Sequence, residues 1–206
     1  MHERVWSRDE AVALLDDPGR LESEDPERLW DVAELAPGMT VVDVGAGTGF
    51  YAFPASERVG PGGRVYAADL APELVALVRE RARARHRENL LAVRSRPERV
   101  PLPDSVADRV LLANVLHGVA PATVREAVRL LRPGGWLIDV DWAKRATPRG
   151  PPVAHRLSAA EARRALERYG LRAVATRDHG PSHYVLVLEK PTAAPAPARR
   201  RPARGR

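Results

Sequence analysis

A chain of 206 residues has the length of one ordinary domain, and 44% apolar with 29% charged residues is the composition of a folded protein. The absence of cysteine excludes disulfides and thiolate metal sites. Of the net charge of +6, five charges come from arginines among the last eight residues, so the body is nearly neutral and argues against a nucleic-acid partner. No apolar run approaches the roughly 18 residues of a membrane span, and Met1 to Ser7 lacks the basic-then-apolar order of a signal peptide, which makes the cytoplasm the expected compartment.

Residues 1–38 read as a polar lead-in with one or two helices. Val12, Leu14 and Leu15, then Leu29, Trp30, Val32, Ala33 and Leu35, supply their apolar faces. Val41–Val44 is a short buried strand. Phe50–Val59 is a helix whose Pro54 falls near the first turn, where a missing N–H is tolerated. After a turn at Gly60–Gly63 come a second strand, Arg64–Ala68, and a long helix, Pro72–Arg87, opened by its proline. Leu90–Val93 and Asp108–Ala113 are the third and fourth strands, and Pro121–Leu131 is another helix. Pro133-Gly134-Gly135 should turn the chain into a fifth strand, Trp136–Asp141. Ser158 and Glu161 have capping-box spacing and begin a helix that runs to Tyr169. Leu171–Thr176 and Tyr184–Glu189 should pair as a hairpin. The segment 191–206, rich in Pro, Ala and Arg, cannot bury apolar surface and is expected to be a disordered tail behind a domain at 39–190.

Strands alternating with helices specify an α/β fold, a doubly wound, mostly parallel sheet with helices on both faces and an antiparallel strand from the hairpin. Ligands of such sheets bind beyond the carboxyl ends of the strands, beside the first strand. Gly45, Gly47 and Gly49 leave that strand directly and precede a helix, so they permit unusual φ and close approach of backbone to a ligand. Asp69 ends the second strand, where an acid can bond both hydroxyls of a ribose. A nicotinamide fingerprint requires glycine or alanine one place after Gly49, and Phe50 stands there.

Val41-Val42-Asp43-Val44-Gly45-Ala46-Gly47-Thr48-Gly49 resembles the first motif of the class I S-adenosylmethionine-dependent methyltransferases, and Val65 to Glu73 resembles their second. Val100 to Asp104 with Ala107 to Val110, and Leu130 to Leu137, resemble the approaches to their fourth and fifth strands. The resemblance covers about residues 36 to 190 and is greatest to the small-molecule enzymes related to the ubiquinone/menaquinone methyltransferases. It implies a seven-stranded sheet of order 3-2-1-4-5-7-6, with S-adenosylmethionine as cofactor and S-adenosylhomocysteine as product. Asp43, Gly45, Ala46, Gly47, Thr48 and Gly49 would hold the methionine part, Asp69 the ribose, and Leu70 would lie beside the adenine. Arg96, Pro97 and Glu98 would edge the adenine, and Asn114 with Val115 would line the methionine side. Many relatives carry an aspartate at the adenine position held here by Arg96, so Glu98 or backbone groups are the expected substitutes.

Methyl transfer from a sulfonium needs alignment and desolvation, and needs a base only when the nucleophile must lose a proton; no metal is required. His117 and His183 are the candidate bases, and His117, Asp141, Trp142, His155 and His183 are the candidate acceptor residues. Asp139, Arg156 and His179 belong to the same end of the sheet. The segment Asn114-Val115-Leu116-His117 lacks the Asn/Asp-Pro-Pro-aromatic signature of methylation at exocyclic base amines, and arsenite methyltransferases rely on cysteines that this chain lacks. The expected partner is a small-molecule acceptor bound to a monomer or homodimer. Two other readings stand beside it: an RNA or protein methyltransferase that uses the arginine tail, and an S-adenosylmethionine-binding module without turnover. The lead-in, including Trp6, Trp30 and Leu15 to Pro18, either covers the cofactor as a lid or packs at the sheet edge.

Overall fold

The computed structural model describes residues 7–192. Its strands are β1 (Thr40–Val44), β2 (Arg64–Asp69), β3 (Leu90–Arg94), β4 (Ala107–Ala113), β5 (Leu131–Trp142), β6 (Arg172–His179) and β7 (His183–Glu189). They form one sheet in the order β3-β2-β1-β4-β5-β7-β6. The first five strands pair in parallel, while β7 runs antiparallel to both β5 and β6. The expected doubly wound architecture and strand order are therefore both present.

The helices are α1 (Arg8–Leu15), α2 (Arg20–Ser23), α3 (Pro26–Val32), α4 (Ala52–Val59), α5 (Pro72–Ala84), α6 (Pro121–Leu130) and α7 (Ala159–Glu167). Strand alternation sends Val41, Leu111, Ile138, Val140, Val185 and Val187 to the face covered by α3, α4 and part of α5. Val42, Val44, Val110, Leu112, Leu137 and Leu186 go to the face covered by α6 and α7. Because β1 is paired on both edges, its residues 41–44 are all buried, and Asp43 is the one acid in that run.

Several boundaries differ from the sequence expectation: α7 ends at Glu167 rather than Tyr169, β6 runs Arg172–His179 rather than Leu171–Thr176, and three others have a local cause. Phe50 and Tyr51 form a turn, so α4 starts at Ala52. His86 takes a φ of 52° just past α5, which ends at Ala84 rather than Arg87. Pro133-Gly134-Gly135 does not interrupt the sheet: β5 begins at Leu131, and a register shift on β4 between Ala107 and Arg109 absorbs the irregularity. Gly134, with a φ of 77°, bends the chain while its N–H still donates to the Lys190 carbonyl at 2.7 Å.

Ser7 and Glu10 form a capping box on α1, and Ser158 with Glu161 form the expected one on α7. Helix α1 lies on α5, packing Ala11 against Leu74 and Leu77, and is tied there by Arg8–Glu80 and Arg81–Asp16 pairs of 3.1 and 2.6 Å. Trp30 is fully buried in the core and donates its indole N–H to the Tyr51 carbonyl at 3.1 Å, so it does not border the ligand cleft. Trp6 and the tail from residue 193 lie outside the described residues. Among the described residues, no helix is long and apolar enough to cross a membrane.

Candidate active site

A cleft of about 1370 Å³ opens beyond the carboxyl ends of β1, β2, β4 and β5. The lead-in crosses it: Leu14, Leu15, Arg20 and Glu24 line one side, and the glycine loop lines the other. The amides of Gly45 and Ala46 donate to the Ala68 carbonyl at 2.8 and 3.0 Å, which pins the loop to β2. Gly47 has a φ of 56°, and a β-carbon on it would stand 2.9 Å from Leu15 Cδ1. Glycine there lets the loop and the lead-in approach each other across the cleft.

Asp43 is only 2% exposed, lines the cleft and leaves Oδ1 without a hydrogen-bond partner. Burial, reinforced by the charge of Asp69 and opposed by Arg20, pushes its carboxyl up to about 7. Asp69 accepts the Gly47 and Ala71 amides at 2.9 Å each. Its carboxyl is nevertheless raised, because burial outweighs those bonds. Leu70, Arg96, Pro97 and Glu98 also line the cleft. Arg96 and Arg99 exchange backbone bonds of 2.8 and 3.1 Å, and Glu98 adopts a φ of 69° at the bend between them.

Asn114, just past β4, takes a φ of 55° and gives its backbone N–H to the Val140 carbonyl at 2.8 Å. Its side-chain Nδ2 donates to Glu24 Oε2 at 2.6 Å, leaving Oδ1 buried and unpartnered. Glu24 is the centre of a network that the sequence did not reveal. Arg20 grips it with bonds of 3.1 and 2.9 Å, and the Tyr51 hydroxyl donates to it at 3.2 Å. Burial would raise the Glu24 carboxyl, but Arg20 and Asn114 hold it below the ordinary value. The Arg20 guanidinium lies 4.0 Å over the Phe50 ring.

Also at the cleft, His117 Nδ1 lies 2.8 and 3.0 Å from the two oxygens of Asp141. The Asp141 bond raises the imidazole pKa above its ordinary value, against the effect of burial. His117 lines the cleft, whereas Asp141, 1% exposed, is the buried support behind it; it is not paired with Arg145, which bonds the Pro181 carbonyl. Trp142 and the exposed His155 also line the cleft. His183 does not: it is fully buried, its ring centroid 4.2 Å from that of Trp142 and its Nε2 3.8 Å from Glu24. Burial depresses its pKa to about 4, so it is a neutral core imidazole behind the cleft wall. Asp139 and His179 are buried as well, and neither borders the cleft. Arg156 is 3% exposed and donates to the carbonyls of Ala143, Arg145, Arg149 and Pro151, holding the loop beneath Trp142 in shape. Among the described residues, no cluster of three or more His, Asp or Glu could hold a metal.

Residues 42–139 match the family model of a methyltransferase domain. The chain is 36% identical over 106 residues to an arsenite methyltransferase of Halobacterium salinarum, covering 50% of this chain and 27% of that protein. It is 32% identical over 131 residues to a ubiquinone/menaquinone biosynthesis C-methyltransferase of Bordetella avium, covering 60% of this chain and 51% of that one. The chain thus spans about half the length, or less, of these curated relatives. A solved SAM-dependent methyltransferase from Aquifex aeolicus is 32% identical and superposes with a TM-score of 0.83 over 89% of this chain and 98% of that one. With this strand order and a 32% identical solved relative matched over 98% of its length, the chain belongs to the class I, Rossmann-like S-adenosylmethionine-dependent methyltransferases.

Proposed function

We propose that this chain transfers a methyl group from S-adenosylmethionine to a small-molecule acceptor. The observation that carries the reading is a pair of buried oxygens, Asp43 Oδ1 and Asn114 Oδ1, that lack partners and belong to residues lining one cleft beside the glycine loop. Unpaired buried acceptors are costly and fit a ligand rich in N–H donors and positive charge. The amino group of the methionine part meets that requirement. Arg20, held in place by Glu24 and the Phe50 ring, offers a cation to the carboxylate of the same part. Asp69 serves the ribose hydroxyls, with Leu70 beside the adenine, and the bend at Arg96 to Glu98 forms the adenine edge.

When bound, S-adenosylmethionine supplies an electrophilic methyl carbon on a sulfonium sulfur. The residues of the chain align the acceptor and exclude water. The lead-in acts as the cover, through Leu15 and the Arg20–Glu24 pair. Val115, His117, Trp142 and His155 border the acceptor half. Titration calorimetry with S-adenosylmethionine, followed by release of S-adenosylhomocysteine in an acceptor screen, tests the reading. Failure to bind would end it, and binding without product from any acceptor would favour a non-catalytic module.

A further inference from the structure

We propose that His117 and Asp141 form a proton-abstracting dyad, and that the acceptor is an apolar-bodied molecule carrying a phenol-class hydroxyl. This rests on the methyltransferase reading above. Asp141 accepts three donors: the His117 backbone amide at 3.2 Å, His117 Nδ1 at 2.8 Å and the Trp142 amide at 2.7 Å. A carboxylate so held fixes the Nδ1–H tautomer of the imidazole and leaves the Nε2 lone pair on the far edge of the ring. His117 is 20% exposed at its side chain and borders the cleft, while Asp141 is sealed at 2%. The ring therefore meets a ligand with its basic edge, and Asp141 acts as a positioning residue.

The surroundings specify the acceptor. Val115, Val119, Trp142, Pro148, Pro151 and Ala154 line the same cleft as His117 and suit an apolar body. An imidazole can take the proton of a phenol, whose acidity is near a pKa of about 10, within reach of general-base catalysis. An aliphatic hydroxyl is far less acidic and yields its proton to the same base much less readily, so a phenol suits an imidazole better. In the step, the hydroxyl proton passes to His117 Nε2 and an oxygen lone pair forms the bond to the methyl carbon. The carbon–sulfur pair departs with sulfur, giving the methyl ether, S-adenosylhomocysteine and an imidazolium that returns its proton to solvent.

The test uses the full chain with naphthol, catechol and para-nitrophenol, against octanol, octylamine and octanethiol. Wild type is expected to methylate the phenols. His117→Gln should lower kcat/KM for naphthol by about 10²–10⁴-fold, and should cost much less for para-nitrophenol, which is already ionised at mildly alkaline pH. Asp141→Asn should move the inflection of the pH–rate profile to lower pH, because the carboxylate is what raises the imidazole. Arg156 opposes that effect, and Asp139 and His183 stand next to Asp141. Both variants should bind S-adenosylmethionine as wild type does, which also reports that they fold. Equal losses for naphthol and para-nitrophenol, or an unmoved inflection, would overturn the dyad. Turnover of the amine or thiol alone, or of no phenol by an enzyme that binds the cofactor, would overturn the acceptor class and leave the cofactor site standing. Loss of cofactor binding in wild type would instead sink the reading beneath it.

Discussion

Asp43→Asn should stabilise the protein without ligand while removing its affinity for the cofactor. The Asp43 carboxyl stands at about 7 in the folded chain against an ordinary 3.8, chiefly through burial. Between those values the folded state holds a proton that the unfolded state has lost, so stability falls as pH rises through the window. A shift of roughly 3 units at 1.36 kcal/mol each amounts to about 4 kcal/mol of stability forgone above pH 7. An amide of the same shape escapes this cost. The advantage of the variant over wild type should therefore grow by about 3 kcal/mol from pH 5 to pH 8, because two units of the window lie between them. Urea unfolding at the two pH values measures it, read from the midpoint at constant slope. S-adenosylmethionine at one hundred times its dissociation constant should then add about 2.7 kcal/mol to wild type and far less to the variant. An advantage that does not change with pH, or a variant less stable than wild type at pH 8, would refute the assignment of Asp43 as a buried acid kept for a cationic ligand. The same logic makes cofactor affinity fall by up to about tenfold per unit as pH drops below 7, since the neutral acid no longer attracts the cation.

Asp69→Ala should weaken S-adenosylmethionine binding by about 10²-fold or more, the worth of roughly two charge-assisted bonds, measured by calorimetry. Glu24→Ala removes the carboxylate that pairs with Arg20, whose side chain is only 13% exposed and keeps the Leu15 carbonyl as acceptor; it should cost about 3–5 kcal/mol, seen as early proteolysis of the lead-in, and Arg20→Met in the same chain should recover part of it. Gly150→Ala places a β-carbon 2.6 Å from the Trp142 ring at a φ of 99°, so it should raise the acceptor KM while leaving cofactor affinity unchanged.

The side of the cleft proposed for the cofactor was legible because its residues are neighbours along the chain. A buried strand, the turn Gly45–Gly49 and Asp69 at the end of the next strand fix one another through local geometry and the β1–β2 register. The fold class followed from the same alternation of elements. Arg20, Glu24 and Tyr51 were missed because nothing local marks them: Glu24 meets Tyr51 and Asn114 across 27 and 90 positions. His183 was placed at the correct edge, since it pairs with Trp142, but only packing decides whether an end-of-strand side chain faces the cleft or the core. The β4–β5 pairing, Ala113 opposite Val140, brings His117 onto Asp141, which sequence spacing alone cannot specify. The sequence by itself determined what periodicity and short-range spacing encode: the doubly wound sheet, the glycine loop and the acid that follows it. Tertiary structure decided which polar groups are buried together, and with that their charge states, because desolvation and partnership depend on contacts made only after the strands have assembled.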